Sequence, residues 1–108
     1  MTRNESENVM NVMMIRAKVK AESVSDVEAA AEKMFGAINA VQPKGVKYAS
    51  TLLSDGVSFV ALLALDDPAD NPLPAIPEFR EFQEHLPGWL AEPPTVEPLT
   101  VIGSYELF

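Results

Sequence analysis

One histidine and a short basic run are the side chains with the most chemical potential in this sequence. His85 is the single histidine. Imidazole is the side chain whose ordinary pKa lies near neutrality, so His85 is the candidate proton acceptor. Arg16 and Lys18 stand two residues apart, with Lys20 beyond them, so in a strand all three point to one side. Such a group would attract an anionic or enolate-forming ligand and stabilise developing negative charge.

Structural roles compete with both of these catalytic ones. Arg16 and Lys18 could equally form ion pairs with acidic residues across a dimer, or stand in water at a strand end. His85 falls near the end of a predicted helix, where an imidazole can bind the last free carbonyl groups. The residues themselves leave both alternatives open.

Three aromatic residues carry a polar group as well as a flat surface. Tyr48, Trp89 and Tyr105 are suited to flank an aromatic ligand and to donate a hydrogen bond to it. Packing in a core or an interface is the competing interpretation, and it is favoured for the two tyrosines.

The composition excludes several kinds of site. The chain has 108 residues, no cysteine and one histidine. Thiolate nucleophiles, zinc–thiolate sites, iron–sulfur clusters and a two-histidine metal site within one chain are therefore ruled out. Asp66, Asp67 and Asp70 lack the spacing of a calcium loop and are interpreted as a solvated turn. We expect no metal site.

The charge and the apolar runs bear on partners and location. Sixteen acidic residues against eight basic ones give a net charge of −8, which opposes binding to nucleic-acid phosphates or anionic lipid. No apolar run reaches the ~20 residues of a membrane span, and the start of the chain is polar without a leader-type cleavage site. We expect a cytoplasmic protein that binds neither nucleic acid nor membrane.

Alternation and helical spacing predict six elements in the order β-α-β-β-α-β, after a flexible tail over residues 1–9. A capping box from Ser25 to Glu28 starts the first helix, and Pro43 helps to end it. Pro77 starts the second helix, which Pro87 and Gly88 close. The predicted strands cover 10–20, 46–53, 57–65 and 99–108, the helices run from 25 to 41 and from 77 to 86, and 66–77 is a stiff loop.

This order predicts one ferredoxin-like α+β domain over residues 10–108, with a four-stranded antiparallel sheet and both helices on one face. The third strand contains seven consecutive apolar residues, Phe59 to Leu65, which is typical of a strand covered on both faces. The first strand places Met14, Arg16 and Lys18 on the face without helices. Together with the apolar third strand, this predicts that the face is covered but still partly in contact with water. A homodimer with its sheets face to face and a polar-lined cavity beside them would account for both patterns.

The sequence resembles dimeric α/β-barrel proteins of the antibiotic-biosynthesis-monooxygenase type over residues 10–108. The likeness rests on the element order, the length, the Pro77-Glu78-Phe79-Arg80-Glu81-Phe82 start of the second helix, and the ending Gly103-Ser104-Tyr105-Glu106-Leu107-Phe108. It implies a homodimeric oxygenase-like protein without metal or organic cofactor, with a cavity between sheet and helices. There a polyphenolic substrate loses a proton and its carbanion reacts with molecular oxygen.

The resemblance also implies roles for individual residues. His85 becomes the proton acceptor and Arg16 the partner of the oxyanion, while Tyr48, Trp89, Tyr105 and Lys18 bind the substrate. Haem-degrading relatives combine Asn, Trp and His, and no matching Asn falls on these strands. Haem degradation is therefore not expected.

Other functions remain open on the same fold. One is a non-catalytic small-ligand-binding or stress-response dimer. Another is an amino-acid-binding module of the ACT type, which is disfavoured because the Lys20-Ala21-Glu22-Ser23 connection lacks glycine. An RNA-binding module is disfavoured because the central strands offer only Phe59 for base stacking.

Overall fold

The structure, a computed structural model, describes residues 11–108, and both Met10 and the tail predicted over residues 1–9 lie outside that part. The strands form one antiparallel sheet in the order β2-β3-β1-β4, so the first and third strands are central. The predicted ferredoxin-like α+β fold is confirmed. The elements are β1 (Asn11–Lys18), α1 (Val24–Val41), β2 (Val46–Leu52), β3 (Ser58–Leu65), α2 (Pro77–Trp89) and β4 (Thr95–Leu99), with 3-10 turns at Ala21–Ser23 and Leu73–Ala75.

Both helices pack on the same side of the sheet, which we name the covered face. Met34 of α1 and Phe79 of α2 meet Leu63 and Leu65 of β3 in the main core. Burial of these side chains stabilises the fold by roughly 1.5–3 kcal/mol each. The loop before α2 completes this core with Leu73 and Ile76.

The first helix starts earlier than the sequence predicts. It begins at Val24 with Ser23 as its N-cap, and no side chain caps it, so the capping box at Ser25 is wrong. A 3-10 turn precedes the helix, with the Ser23 amide donating to the Lys20 carbonyl at 2.8 Å. Because this turn leads directly into α1, Ser25 already lies inside its first turn.

The predicted end of the second helix is also wrong. Pro87 lies inside α2, which continues to Trp89. A proline near a helix end removes one hydrogen bond, and here that loss is offset by contacts that hold the last turn. The Lys20 amide donates to the Trp89 carbonyl at 2.9 Å, and the Trp89 ring packs 6.1 Å from the Phe82 ring, centroid to centroid.

The last strand lies before the predicted one. β4 covers Thr95–Leu99 and includes Pro98, whereas residues 100–108 form no regular strand. β4 is an edge strand, where a proline can face away from its only partner without breaking the ladder.

Part of the sheet face without helices, which we name the open face, is covered by the chain itself. Val12 and Ala64 are buried there at 3% and 0% exposure, under Val101 and Phe108 of the C-terminal segment. Arg16 and Lys18 of β1 share this face with Val12, as the alternation predicts.

Candidate functional site

A cavity of about 240 Å³ lies between the covered face and the two helices, beside the main core. All four strands and both helices contribute to its walls. Its inner end is buried, whereas Ser50, Gln83, Pro94 and Val96 are exposed and mark its mouth. The complete lining is Ile15, Ala17, Val19, Val27, Tyr48, Ser50, Phe59, Ala61, Leu63, Phe79, Phe82, Gln83, Leu86, Pro94 and Val96.

Small side chains on the sheet explain why this space exists. Ala61 of β3 stands beside Ser50 of β2 and Ile15 of β1, and Ala17 follows on β1. The same face carries Leu63 and Leu65 further along β3, where the main core fills the space under the helices. The helices therefore rest on Leu63 and Leu65 in one half of the sheet and leave a space over Ala17, Ser50 and Ala61 in the other.

The cavity wall is apolar except for three uncharged polar groups. The polar residues of the lining are Tyr48, Ser50 and Gln83, and no charged residue within 11–108 lines the cavity. Such a wall suits a flat apolar ligand that carries one or two hydrogen-bonding groups.

Tyr48 is held firmly by aromatic neighbours. Its ring centroid lies 5.0 Å from that of Phe35 and 6.2 Å from that of Phe79, the second pair in an edge-to-face arrangement. Burial raises the pKa of the Tyr48 phenol above its usual value. The hydroxyl therefore stays protonated at neutral pH and can donate a hydrogen bond to a bound ligand.

This raised pKa has a measurable consequence for stability at high pH. The folded state disfavours the Tyr48 phenolate, so its contribution is fully present below the ordinary phenol pKa of about 10 and is lost as pH rises through the higher folded value. We expect the free energy of unfolding to fall more steeply above that pH in the wild type than in Tyr48→Phe. Denaturant titrations across this range test it. Equal slopes would contradict the burial of the hydroxyl.

His85 and Trp89 lie outside the cavity, in a shallow groove between the outer surfaces of the helices. Their ring centroids are 5.9 Å apart, and His85 is exposed. The groove also holds the ion pair between Lys33 Nζ and Glu81 Oε1, at 2.9 Å. That pairing raises the pKa of Lys33 and lowers that of Glu81, each first through the hydrogen bond between them.

Arg16 and Lys18 lie on the other side of the sheet, where a recess of about 460 Å³ opens on the open face. Both side chains are exposed, and Glu92 and Glu97 line the same recess. Opposite charges thus offset one another there, which weakens an oxyanion site. Tyr105 belongs to the C-terminal segment and is 87% exposed.

The structure therefore brings one of the six predicted site residues, Tyr48, into the cavity. His85 and Arg16 face opposite sides of one protomer and cannot act on the same molecule there, so the roles given to them stay predictions. Ser50 and Gln83 were not predicted as site residues. Alternation places Ser50 on the same side of β2 as Tyr48, and Gln83 is a polar residue on the otherwise apolar stripe of α2.

Two kinds of site are absent from residues 11–108, a metal site and a membrane-spanning helix. No group of three or more His, Asp or Glu side chains in that range is arranged to hold a metal ion. No helix of the same part of the chain has the length and apolarity to span a membrane.

Comparison with known proteins gives matches by structure alone. No protein-family model and no curated protein matches the sequence. A candidate antibiotic biosynthesis monooxygenase from Nitrosomonas europaea superposes with a TM-score of 0.73 at 17% identity, covering 86% of this chain and 90% of that one. An antibiotic biosynthesis monooxygenase gives 0.72 at 14% identity, covering 87% of this chain and 100% of that one.

A third solved structure carries a named activity. A variant of SnoaB, a cofactor-independent oxygenase from Streptomyces nogalater, superposes with a TM-score of 0.66 at 15% identity, covering 90% of this chain and 97% of that one. Identities of this size establish a shared fold. The likeness to proteins of the antibiotic-biosynthesis-monooxygenase type that the sequence predicts is thus confirmed at the level of the fold.

Proposed function

We propose that the chain binds a small, uncharged polyphenolic molecule in the cavity between sheet and helices and promotes its direct reaction with molecular oxygen. The observation that carries this proposal is the cavity itself, an apolar space of about 240 Å³ with three neutral polar groups. The fold it shares with SnoaB, a cofactor-independent oxygenase, supports the reaction class by analogy.

The proposed reaction needs oxygen as its second substrate. An anthrone-type phenol loses a proton from its activated CH₂ to water at the mouth, and the carbanion forms a C–O bond with O₂. Two electrons pass from carbon to oxygen, a proton returns, and the resulting hydroperoxide loses water to leave a carbonyl group. One oxygen atom enters the product and the other leaves as water.

The chain's own residues act by holding and orienting the substrate. The protonated Tyr48 hydroxyl donates to the enolate oxygen, which gains negative charge as the proton leaves. Phe79 and Phe59 exclude water from the rings, and Gln83 at the exposed mouth binds a second oxygen. Positioning and hydrogen bonding are thus the contributions that this wall supplies.

A binding protein without turnover is the second candidate. One observation favours it: no residue within 11–108 that lines the cavity is an ionised base. Proton removal would then depend on water alone. The alternative predicted from the sequence is a non-catalytic small-ligand-binding or stress-response dimer. Such a protein also needs the cavity, but it needs no catalytic base.

Oxygen consumption with an anthrone-type substrate separates the two candidates. We expect uptake above the uncatalysed rate in the wild type, and a loss of about tenfold in Tyr48→Phe, which removes one hydrogen bond to developing charge. His85→Ala and Arg16→Ala serve as controls, since both lie outside the cavity. Binding without uptake would favour the second candidate, and a loss of uptake in either control would restore the roles predicted from the sequence.

We also propose that two copies pair through their open faces. The C-terminal segment covers only the Val12 and Ala64 end, and Leu62, which lies opposite Met14 of β1, is half-buried on the same face. From strand spacings, the open face measures roughly 19 by 17 Å. Its area is therefore smaller than the ~800 Å² that each partner buries in a stable interface. Exposed apolar residues of the C-terminal segment supply further area, among them Ile102 at 99% and Leu107 at 61% exposure.

The mass in solution tests this pairing. We expect twice the 11.8 kDa of one chain for the wild type, measured by light scattering. Leu62→Glu places a carboxylate in the proposed interface and is expected to yield monomers, because an unpaired buried charge costs several kcal/mol. Leu52→Glu is the matched control at an exposed position of the edge strand β2. A monomeric wild type at micromolar concentration would contradict the proposal.

A further inference from the structure

We infer that the cavity selects neutral ligands of two or three fused aromatic rings and rejects both carboxylated and four-ring analogues, and that Gln83 is the position at which this charge preference can be changed. This inference deepens the proposed function by naming a substrate class. It rests on that function for the reaction but concerns binding alone.

The preference for neutral ligands follows from the residues that line the cavity. No side chain within 11–108 that lines the cavity carries a charge, so a bound carboxylate would lose its water without gaining a cationic partner. The protein's own phenol reports the same environment, because burial raises the pKa of Tyr48 and so disfavours an anion there. The basic side chains Arg16 and Lys18 cannot compensate, since they face the opposite side of the sheet.

Size selection follows from the volume and the shape. A buried apolar space of ~150 Å³ holds benzene, so the 240 Å³ present here has room for one or two further fused rings. Residues of both edge strands line the cavity, from Tyr48 on β2 to Val96 on β4. These edge strands are three strand spacings apart, roughly 14 Å. The space lies between the sheet on one side and the two helices on the other, which favours a flat molecule.

Gln83 is the wall residue through which charge preference can be changed. It is exposed at the mouth, so a longer charged side chain at this position can reach both water and the ligand. Gln83→Lys would supply the cation that a carboxylate needs. Ala40→Lys adds the same charge to an exposed position of α1 outside the cavity and is the matched control.

Calorimetric binding of three probes tests the inference: 2-naphthol, 2-naphthoate and 1-hydroxypyrene. We expect the wild type to bind the naphthol at least tenfold more tightly than either other probe. Gln83→Lys should reduce the preference for naphthol over naphthoate by tenfold or more, whereas Ala40→Lys should leave it unchanged.

Equal affinity for naphthol and naphthoate, equal affinity for the four-ring probe, or no binding of naphthol would each overturn the inference. So would an equal effect of the two lysine substitutions. The proposed function can fail independently of this inference. Selective naphthol binding without oxygen uptake would contradict the proposed reaction but not the proposed selectivity. Oxygen uptake on a four-ring phenol would refute the selectivity and leave the reaction intact.

Discussion

Replacing Ala61 by phenylalanine is expected to abolish ligand binding while leaving the fold intact. Ala61 is half-buried on the central strand β3, between Ser50 and Ile15, with the cavity directly above it. A benzene-sized ring needs only ~150 Å³ of apolar space, so the new side chain fits into the 240 Å³ available and occupies it. Affinity for a naphthol probe should fall at least ~100-fold, a loss of about 2.7 kcal/mol in binding free energy.

Stability measurements show whether that loss arises from filling the cavity. The free energy of unfolding of Ala61→Phe should change by less than about 1.5 kcal/mol, because the ring enters existing space instead of displacing packed neighbours. Ala29→Phe, at an exposed position of α1, is the matched control and should bind as the wild type does. Retained affinity in a well-folded Ala61→Phe protein would move the binding site away from this cavity.

The family resemblance implies a cavity between sheet and helices, but the residue patterns do not give its lining. Alternation puts Arg16 and Lys18 of the first strand on the face away from the helices, and both lie there. What alternation does not give is the register between strands, which sets Ser50, Ala61 and Ile15 side by side. Three small or medium residues create a space only when they are adjacent, and adjacency across strands is a property of the folded sheet.

The predicted site residues do not meet within one protomer for a related reason. His85 and Arg16 are marked as reactive by residue type alone. Residue type does not say where a side chain lies in the fold. A catalytic pair must also share a space, and α2 turns His85 outward while β1 turns Arg16 to the opposite face. The residues that do share the cavity are less conspicuous, because serine and glutamine are common on surfaces.

The sequence predicted local structure correctly where a single conformational preference decided it. Asp55 in the β2–β3 turn accepts hydrogen bonds from the Val57 and Ser58 amides at 3.0 and 2.8 Å, and Gly56 has a φ of +78°, as a tight turn requires. Predictions failed where two rules competed. Pro98 favoured a loop, whereas pairing with the central strand β1 made a strand of the same residues.

Replacing Leu73 by alanine is expected to give the largest loss of stability among these variants, about 2–5 kcal/mol. The sequence predicts only a stiff loop over residues 66–77, yet Leu73 is 0% exposed and packs in the main core with Met34 and Phe79. Its backbone is fixed as well, since its amide donates to Asn71 Oδ1 at 3.0 Å and its carbonyl accepts from Ile76 at 2.9 Å. These bonds hold the surroundings in place, so a shortened side chain leaves a cavity that cannot easily close.

Urea unfolding of Leu73→Ala beside Leu52→Ala measures this contribution. Leu52 is 41% exposed on the edge strand β2, so its truncation should cost less than about 1 kcal/mol. Domains of this kind have 5–15 kcal/mol of stability in total, so the Leu73 variant should show a clearly lower urea midpoint with an unchanged slope. Equal losses for the two leucines would mean that the loop before α2 adds little to the core. The helix that carries Gln83 and Phe79 would then owe its position to the sheet and to α1.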